Sequence, residues 1–491
     1  MEKLAPTLLA FPAGASSNSL VMNEVFDEAV KNHAARLSRL LKDHSSELIT
    51  HGPQLLELLN PELNSMSYLA VLHTLLIPGV ANSAPLDFLL QKLVTFLLQY
   101  EPLQCRYAGT YLQDIFLRAV DGNLLPPSVA VAAVAEALNR LDPTGSMLTV
   151  THIHLARLAY NTNNIEAALP VIDKNIVFFP GMAGHFNPDY LCEPSLPPPA
   201  YISRESGLTG TLKPALVMEY EMLRGMMYCA LRDWSKAFAA FQRVVTYPTR
   251  EGGTSKIMIE AYKKWVLVSL LSKGKLAETP SNTPAASAKL YANLAKPYTS
   301  VAVAFVADDA QVLKAEVEKN TAIWLEDANT GLVKEVLSAY QKWRVLALEQ
   351  IYSNISLSEI RQQTTSAETG EKLQKDEDVE TLIQNMIISG MLSGVIEKND
   401  DGTKYLSFLS LTTPFTEVEF VDRVKNTASQ LMQLQNYFKI TKERLGTNKE
   451  YLKHVIKEEK RAADKSNDPE PVPDFDATVD DEDLMGGIMN T

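Results

Sequence analysis

The sequence predicts a mainly α protein: an array of helix pairs that ends in a small winged helix, followed by further helices and a polar tail. Three observations carry this. From Asn23 to about Gln350, apolar residues recur at helical spacing and are interrupted at short intervals by Pro or Gly, with no sustained period-2 stretch. Between Ile355 and Leu411 the local rules change to helix plus hairpin. Beyond Thr416 a long one-sided pattern restarts and then gives way to acidic, proline-containing sequence.

Composition limits the function. Apolar residues make up 46% of the 491 and charged residues 21%, so a sizeable core can form. The net charge of -13 disfavours sequence-independent binding to nucleic acid or anionic membrane. Cys105, Cys192 and Cys229 are odd in number and widely spaced, which points to a reducing compartment, with Cys105 and Cys229 read as small core residues. The N-terminal stretch fails as a signal peptide, because Glu2 offsets Lys3 and Pro6 and Pro12 break the apolar run. Asn64 to Pro85 has no Asp, Glu, Lys or Arg, but His73, Pro78-Gly79 and Pro85 make it a buried helix and a loop rather than a membrane span.

Taken in order, the array's helices include Val25 to Leu41, Met66 to Ile77, Leu86 to Leu98, Val129 to Leu141 and Ile153 to Tyr160. Turn chemistry is expected at His51-Gly52-Pro53, Asn60-Pro61, Gly122-Asn123 and Asp142-Pro143. Gly225, Tyr228, Ala237 and Phe241 stand at tetratricopeptide-repeat offsets, with Pro248 one place early. There the Gly lets two helices approach, the Ala fills the crossing, and the two aromatics pack on the neighbouring pair. Leu155, Leu158, Ala167 and Val171 repeat the spacing about 70 residues earlier. Phe186 to Tyr201, with Pro188, Pro194 and Pro197-Pro198-Pro199, is expected as an extended surface loop. Met258 to Leu271 keeps almost no polar face beyond Glu260, Lys263 and Lys264, so it must be buried nearly all round. Ala277 to Ser287 is expected as a linker. Thr321 to Leu325 and Leu332 to Ile351 then lead into the winged unit.

In that unit Ser356-Leu357-Ser358-Glu359 is a capping box, with Ile355 and Ile360 packing inward. Asp376 to Ser389 forms a helix through Val379, Leu382, Ile383, Met386 and Ile387, and Gly390 stops it. Val395 to Asn399 and Thr403 to Leu409 form a hairpin about Asp400-Asp401-Gly402. Winged helices commonly bind nucleic acid. Here 5 Lys/Arg face 10 Asp/Glu between Ile355 and Ser410, and the second helix opens with acids, so protein contact is the expected use.

Past Leu411, Thr416-Glu417-Val418-Glu419 is a second box with Phe415 and Phe420 as its staple. Val424, Leu431, Phe438, Leu445 and Leu452 then recur every seventh residue. The alternate seam (Val421, Ala428, Gln435, Lys442, Lys449, Ile456) is polar at Gln435, Lys442 and Lys449, so only one of the two positions is consistently apolar. That pattern suits a helix laid into a bundle of partner helices, with a break expected at Gly446.

The repeat-like pair, the buried Ser255 to Leu271 segment and the winged unit together resemble the PCI-domain family of the proteasome lid, signalosome and initiation factors, over about Ile153 to Phe438. The resemblance divides the chain into an N-terminal segment (1–22), a helical-repeat array (23–350, with the PCI helical part from about 215), a winged-helix part (351–413), C-terminal helices (414–462) and an acidic tail (463–491). It implies a non-catalytic scaffold in a multi-subunit hetero-complex of nucleus and cytoplasm. Of the family's assemblies the signalosome stands first; it removes a ubiquitin-like modifier from cullins, and so regulates cullin-RING ubiquitin ligases, through another subunit's zinc site. A proteasome-lid scaffold or an RNA-associated initiation module is the alternative. The expected partners are other PCI-domain subunits, by winged-helix edge pairing on the strand bearing Tyr405, and a helical bundle made by the C-terminal ends of those subunits, meeting Val424, Leu431, Phe438, Leu445 and Leu452.

No catalytic residue, cofactor or metal is expected. His152-Ile153-His154 approaches the zinc motif of isopeptidases related to this family's partners, but Thr162 and Ile165 stand where that motif places Ser and Asp. On a helix the two histidines point about 200° apart, at about 100° per residue.

Overall fold

The computed structural model describes residues 4–10, 20–77, 85–180, 190–248, 253–307, 309–399, 402–409, 417–447, 451–453 and 455–457. The expected Pro78 stop, the Asp400-Asp401 of the hairpin turn, Phe415 and Thr416 of the second cap, and the tail from 463 lie outside those residues. The chain divides into two compact units, 1–412 and 413–491.

The first unit is built of stacked helices. Its N-terminal part comprises α1 (Leu4–Leu9), α2 (Leu20–Asp43), α3 (Ser45–Leu58), α4 (Ser65–Leu75), α5 (Leu86–Gln99), α6 (Pro102–Cys105), a 3-10 turn (Arg106–Ala108), α7 (Gly109–Val120) and α8 (Pro127–Leu141). Several expectations change in this unit. The first is His51-Gly52-Pro53, which is no turn but part of α3. A Cβ on Gly52 would meet the Leu75 side chain at 2.6 Å, so this glycine serves the close approach of α4 rather than a reversal of the chain. The uncharged α4 is buried over nearly its whole circumference.

Repeat-like hairpins follow: α9 (Val150–Asn161) with α10 (Ile165–Ile172), then the one-turn α11 (Pro198–Tyr201), then α12 (Pro214–Ala230) with α13 (Trp234–Val245). Gly225 stands where a Cβ would meet the Phe241 ring at 2.5 Å, and Ala237 and Phe241 are buried. Tyr228 donates its hydroxyl to Ile172 O (3.1 Å) and Asp173 Oδ1 (2.9 Å), joining this pair to the previous one. The helices α14 (Lys256–Lys273), α15 (Ala285–Leu294), α16 (Lys296–Val306), α17 (Ala310–Lys319), α18 (Thr321–Glu326) and α19 (Thr330–Leu348) complete the array. Here the second expectation changes: the linker is shorter, since Ala285-Ala286-Ser287 open α15. As expected, α14 is core: Met258, Ala261, Trp265, Val266, Leu267, Val268 and Leu270 are all inaccessible to solvent.

One turn recurs through this array. Asn163 (φ 57°), Arg232 (φ 59°) and Ala328 (φ 53°) adopt left-handed backbone between the paired helices. In each case the next residue's N–H bonds back across the turn: Asn164 to Ala159 O at 2.9 Å, Asp233 to Tyr228 O at 3.0 Å, Asn329 to Trp324 O at 2.9 Å. This helix-ending loop normally favours Gly. The α18–α19 hairpin is thus a third member of the series that residue identities alone do not reveal.

The winged unit comprises β1 (Asn354–Ser356), α20 (Leu357–Gln363), α21 (Asp376–Ile388), β2 (Gly394–Lys398) and β3 (Lys404–Phe408). Ser356 Oγ accepts from Glu359 N, and Gly390 ends the region of α21 at φ 71°. The sheet order is β1-β3-β2, antiparallel throughout, with Ile355 opposite Leu406 and Ile396 opposite Leu406 on the other side. Its core of Ile355, Ile360, Val379, Ile383, Met386 and Leu406 is continuous with Val345 and Leu348 of α19. The α20–α21 loop is pinned back on the array by Lys314 Nζ to Thr369 O (2.9 Å), Gln311 Nε2 to Gly370 O (3.3 Å) and the buried Gln341–Thr364 bond (3.2 Å).

The second unit holds α22 (Glu417–Thr447). The described part of α22 ends at Thr447, one residue past Gly446, and 448–450, where the break is expected to continue, lie outside the described residues.

Candidate interaction surfaces

Pairing in the sheet moves the expected edge. Asn399 N bonds Thr403 O at 2.9 Å and Leu409 N bonds Ser393 O at 3.0 Å. Antiparallel alternation then directs the backbone groups of 395 and 397 at β3, and those of Gly394, Ile396 and Lys398 outward. Tyr405 is paired on both sides, with Ser356 and with Glu397, so its own N–H is already used inside the sheet. Edge pairing through Tyr405 is therefore corrected to the outer side of β2. The three-residue β1 lies too far upstream and is too short to show a strand period, so the hairpin alone made β3 look like an edge. The Tyr405 hydroxyl instead bonds Glu397 Oε2 at 2.6 Å across the hairpin.

Charge around the wing is acidic. Asp376, Glu377 and Asp378 open α21 on the surface, favourable for the helix dipole and repulsive to phosphate. Lys404 and Arg361 are engaged with Glu380 (2.6 Å) and Asp376 (3.1 Å).

On α22, Val424, Leu431 and Phe438 are 51, 55 and 70% exposed, and Leu452, in the helical piece 451–453, is exposed as well. The side chain of Leu445 lies outside the described residues. Phe420, Val421, Met432 and Leu434 are equally open, although Phe420, Met432 and Leu434 stand in neither series of the heptad reading. At about 100° per residue these apolar side chains cover an arc of about 160°. A two-stranded coiled coil would use a narrower seam; an arc this wide fits between two or more helices.

The histidine pair of α9 separates as its geometry requires. His152 is buried, its Nδ1 2.8 Å from Thr149 Oγ1 in the helix cap and its ring edge-on to Tyr220. Burial holds its pKa down to about 4. His154 is half-buried beside Arg157, whose guanidinium makes a bidentate pair with Glu219. Among the described residues no cluster of three or more His, Cys, Asp or Glu could hold a metal ion. Nor does any described helix have the length and apolarity to cross a membrane. Buried charges are structural: Glu221 joins Arg224 (3.0 Å) and Arg243 (3.2 Å), while Lys264 donates to Asn329 Oδ1 (2.7 Å) and Lys263 to Asp327 (2.7 Å).

A stacked helical array, a winged helix sharing its last core, and exposed strand and helix surfaces define a scaffold of the helical-repeat, winged-helix class. The profile of COP9 signalosome complex subunit 3, N-terminal helical repeats, matches residues 26–192 and 200–286. The COP9 signalosome complex subunit 3 of Neurospora crassa is 40% identical over 94% of this chain and 93% of its own length; that of Emericella nidulans is 30% identical over 83% and 84%. The Drosophila melanogaster protein of the same name is 26% identical over 75% of this chain and 81% of its own length. The chain belongs to the COP9 signalosome complex subunit 3 family.

Proposed function

We propose that this chain is a non-catalytic scaffold in the COP9 signalosome, supporting removal of a ubiquitin-like modifier from cullins by another subunit. The observation that carries the reading is the apolar arc of α22, which a folded subunit in water leaves exposed only where other helices cover it. Its partners on this reading are the C-terminal helices of neighbouring subunits. A second contact is strand addition at β2, where Ile396 and Lys398 direct backbone groups outward beside a 45% exposed Val395. The proteasome-lid and initiation-module readings give way because the relatives named above all carry the signalosome subunit's name.

Co-expression with the other subunits tests both contacts. Leu431→Ala with Phe438→Ala should abolish co-elution of this chain with the complex while its own unfolding curve stays in place. A monomer that unfolds early would instead show these side chains to be its own core. Lys398→Pro removes an outward donor without touching the β2–β3 ladder and should weaken incorporation; Tyr405→Pro breaks the ladder itself and should destabilise the winged unit. Unchanged incorporation of the Lys398→Pro chain would remove edge pairing from the proposal. The purified chain should also contain no stoichiometric zinc and leave a modified cullin uncleaved. Cleavage abolished by His154→Ala would contradict the non-catalytic reading.

A further inference from the structure

Arg106 is only 6% exposed, yet no carboxylate pairs with it among the described residues. Its guanidinium lies 3.6 Å from the centroid of the Tyr201 ring, and Nη1 donates to Leu191 O and to Glu193 O, both at 2.9 Å. Nε is buried without a partner, and desolvation pulls the pKa of the group down. A buried cation costs several kcal/mol unless a counter-charge offsets it. Here a ring face and two peptide carbonyls take that role, and all three belong to the proline-rich segment.

That segment is attached in an unusual way. The backbone hydrogen bonds described for 193–209 stay inside it: Leu196 to Glu193, Ala200 to Pro197, Ile202 to Pro198, Gly207 to Arg204. Its fastenings to the array are side chains. Tyr201 donates its hydroxyl to Leu141 O (2.9 Å), and Thr209 Oγ1 accepts from Val150 N (3.4 Å). The proline-rich run does not remain extended as its composition predicts. Pro198–Tyr201 is one helical turn, prolines at its start where the missing N–H costs nothing, and all four residues are buried. Gly109 of α7 admits the crossing, because a Cβ there would collide with Ser206 O and Leu208. The helical-repeat profile of the family passes over 193–199, so this part of the segment stands outside the repeat pattern on either side.

We infer that residues 190–209 are a strap, latched by Arg106 and Tyr201, that opens as a unit from a groove formed by the 106–108 turn, α7 and α8 while the flanking helices stay folded. Closure desolvates Arg106 and opening rehydrates it; the two carbonyl bonds and the ring contact outweigh that cost, so Arg106 on balance holds the strap shut while its buried charge narrows the gap between the two states.

Hydrogen exchange by mass spectrometry on the full chain tests this, comparing 190–209 with α8 and α12. The strap should exchange as one block ahead of both helices. Arg106→Ala should speed that block about tenfold or more while α13 and α14 keep their protection. Tyr201→Phe, which removes only the hydroxyl bonded to Leu141 O and keeps the packing, should speed the same block by a smaller factor. Exchange of the strap in step with α8 in the wild-type chain overturns the inference. So does acceleration spread equally over α7 to α14 in Tyr201→Phe, or loss of all protection in Arg106→Ala, since each makes the segment inseparable core.

Discussion

The helix α14 and the helix α22 obey the same local rules and end in opposite environments. Both carry apolar residues over much of their circumference. In α14 the ring of Trp265 is stacked on Phe238 and Tyr262, and even Lys264 finds a buried partner. On α22, Val424, Leu431 and Phe438 meet solvent. An apolar face is thus a statement about what must cover a helix, and only contacts say whether the cover lies within the chain.

Of four measurements, the first and the last put this contrast at risk, and the two between them test the packing of the array. The largest effect belongs to Trp265→Ala, which should lower the unfolding free energy by about 3–5 kcal/mol in chemical denaturation, the usual cost of emptying a fully buried aromatic site.

Next comes pH. Burial holds His152 down to about 4 against an ordinary 6.5, so between those values the unfolded chain binds more protons than the folded one. The contribution of His152 is complete above pH 6.5 and should be lost as pH drops toward 4, by about 3 kcal/mol. Denaturant titrations across that range should show it, and His152→Gln, which keeps a polar N3 side chain for the cap, should flatten the slope.

A smaller gain is expected from Ala328→Gly. At φ 53° alanine is strained in the left-handed region, and glycine there should raise stability by up to about 1 kcal/mol in the same assay. A loss would mean that glycine's greater unfolded-state entropy outweighs the strain.

The smallest effect should be the double substitution Leu431→Ala with Phe438→Ala: within about 0.5 kcal/mol in the isolated chain, as for exposed positions generally. A loss comparable to that of Trp265→Ala would erase the distinction between the two helices.

Most of the secondary structure was legible in the amino-acid order alone, because helix starts, stops and faces are decided within about four residues. Ser356 and Gly390 bound the winged unit's helices as their chemistry predicts, Gly225 meets Phe241, and the charge-free stretch after Asn64 becomes the buried α4. The heptad count picks out Val424, Leu431 and Phe438, which are exposed, and skips Phe420, Met432 and Leu434, which are equally exposed.

Long-range neighbours were settled by packing, which no local rule contains. That β3 is central depends on β1, a strand of three residues far upstream on the other side of α20 and α21. Gly52-Pro53 lies in a helix against Leu75, and the proline-rich segment covers Arg106 through the Leu191 and Glu193 carbonyls and the Tyr201 ring. Ala328 holds a glycine's conformation because the stacked helices on both sides offset its strain, a condition set by packing and invisible to local propensity.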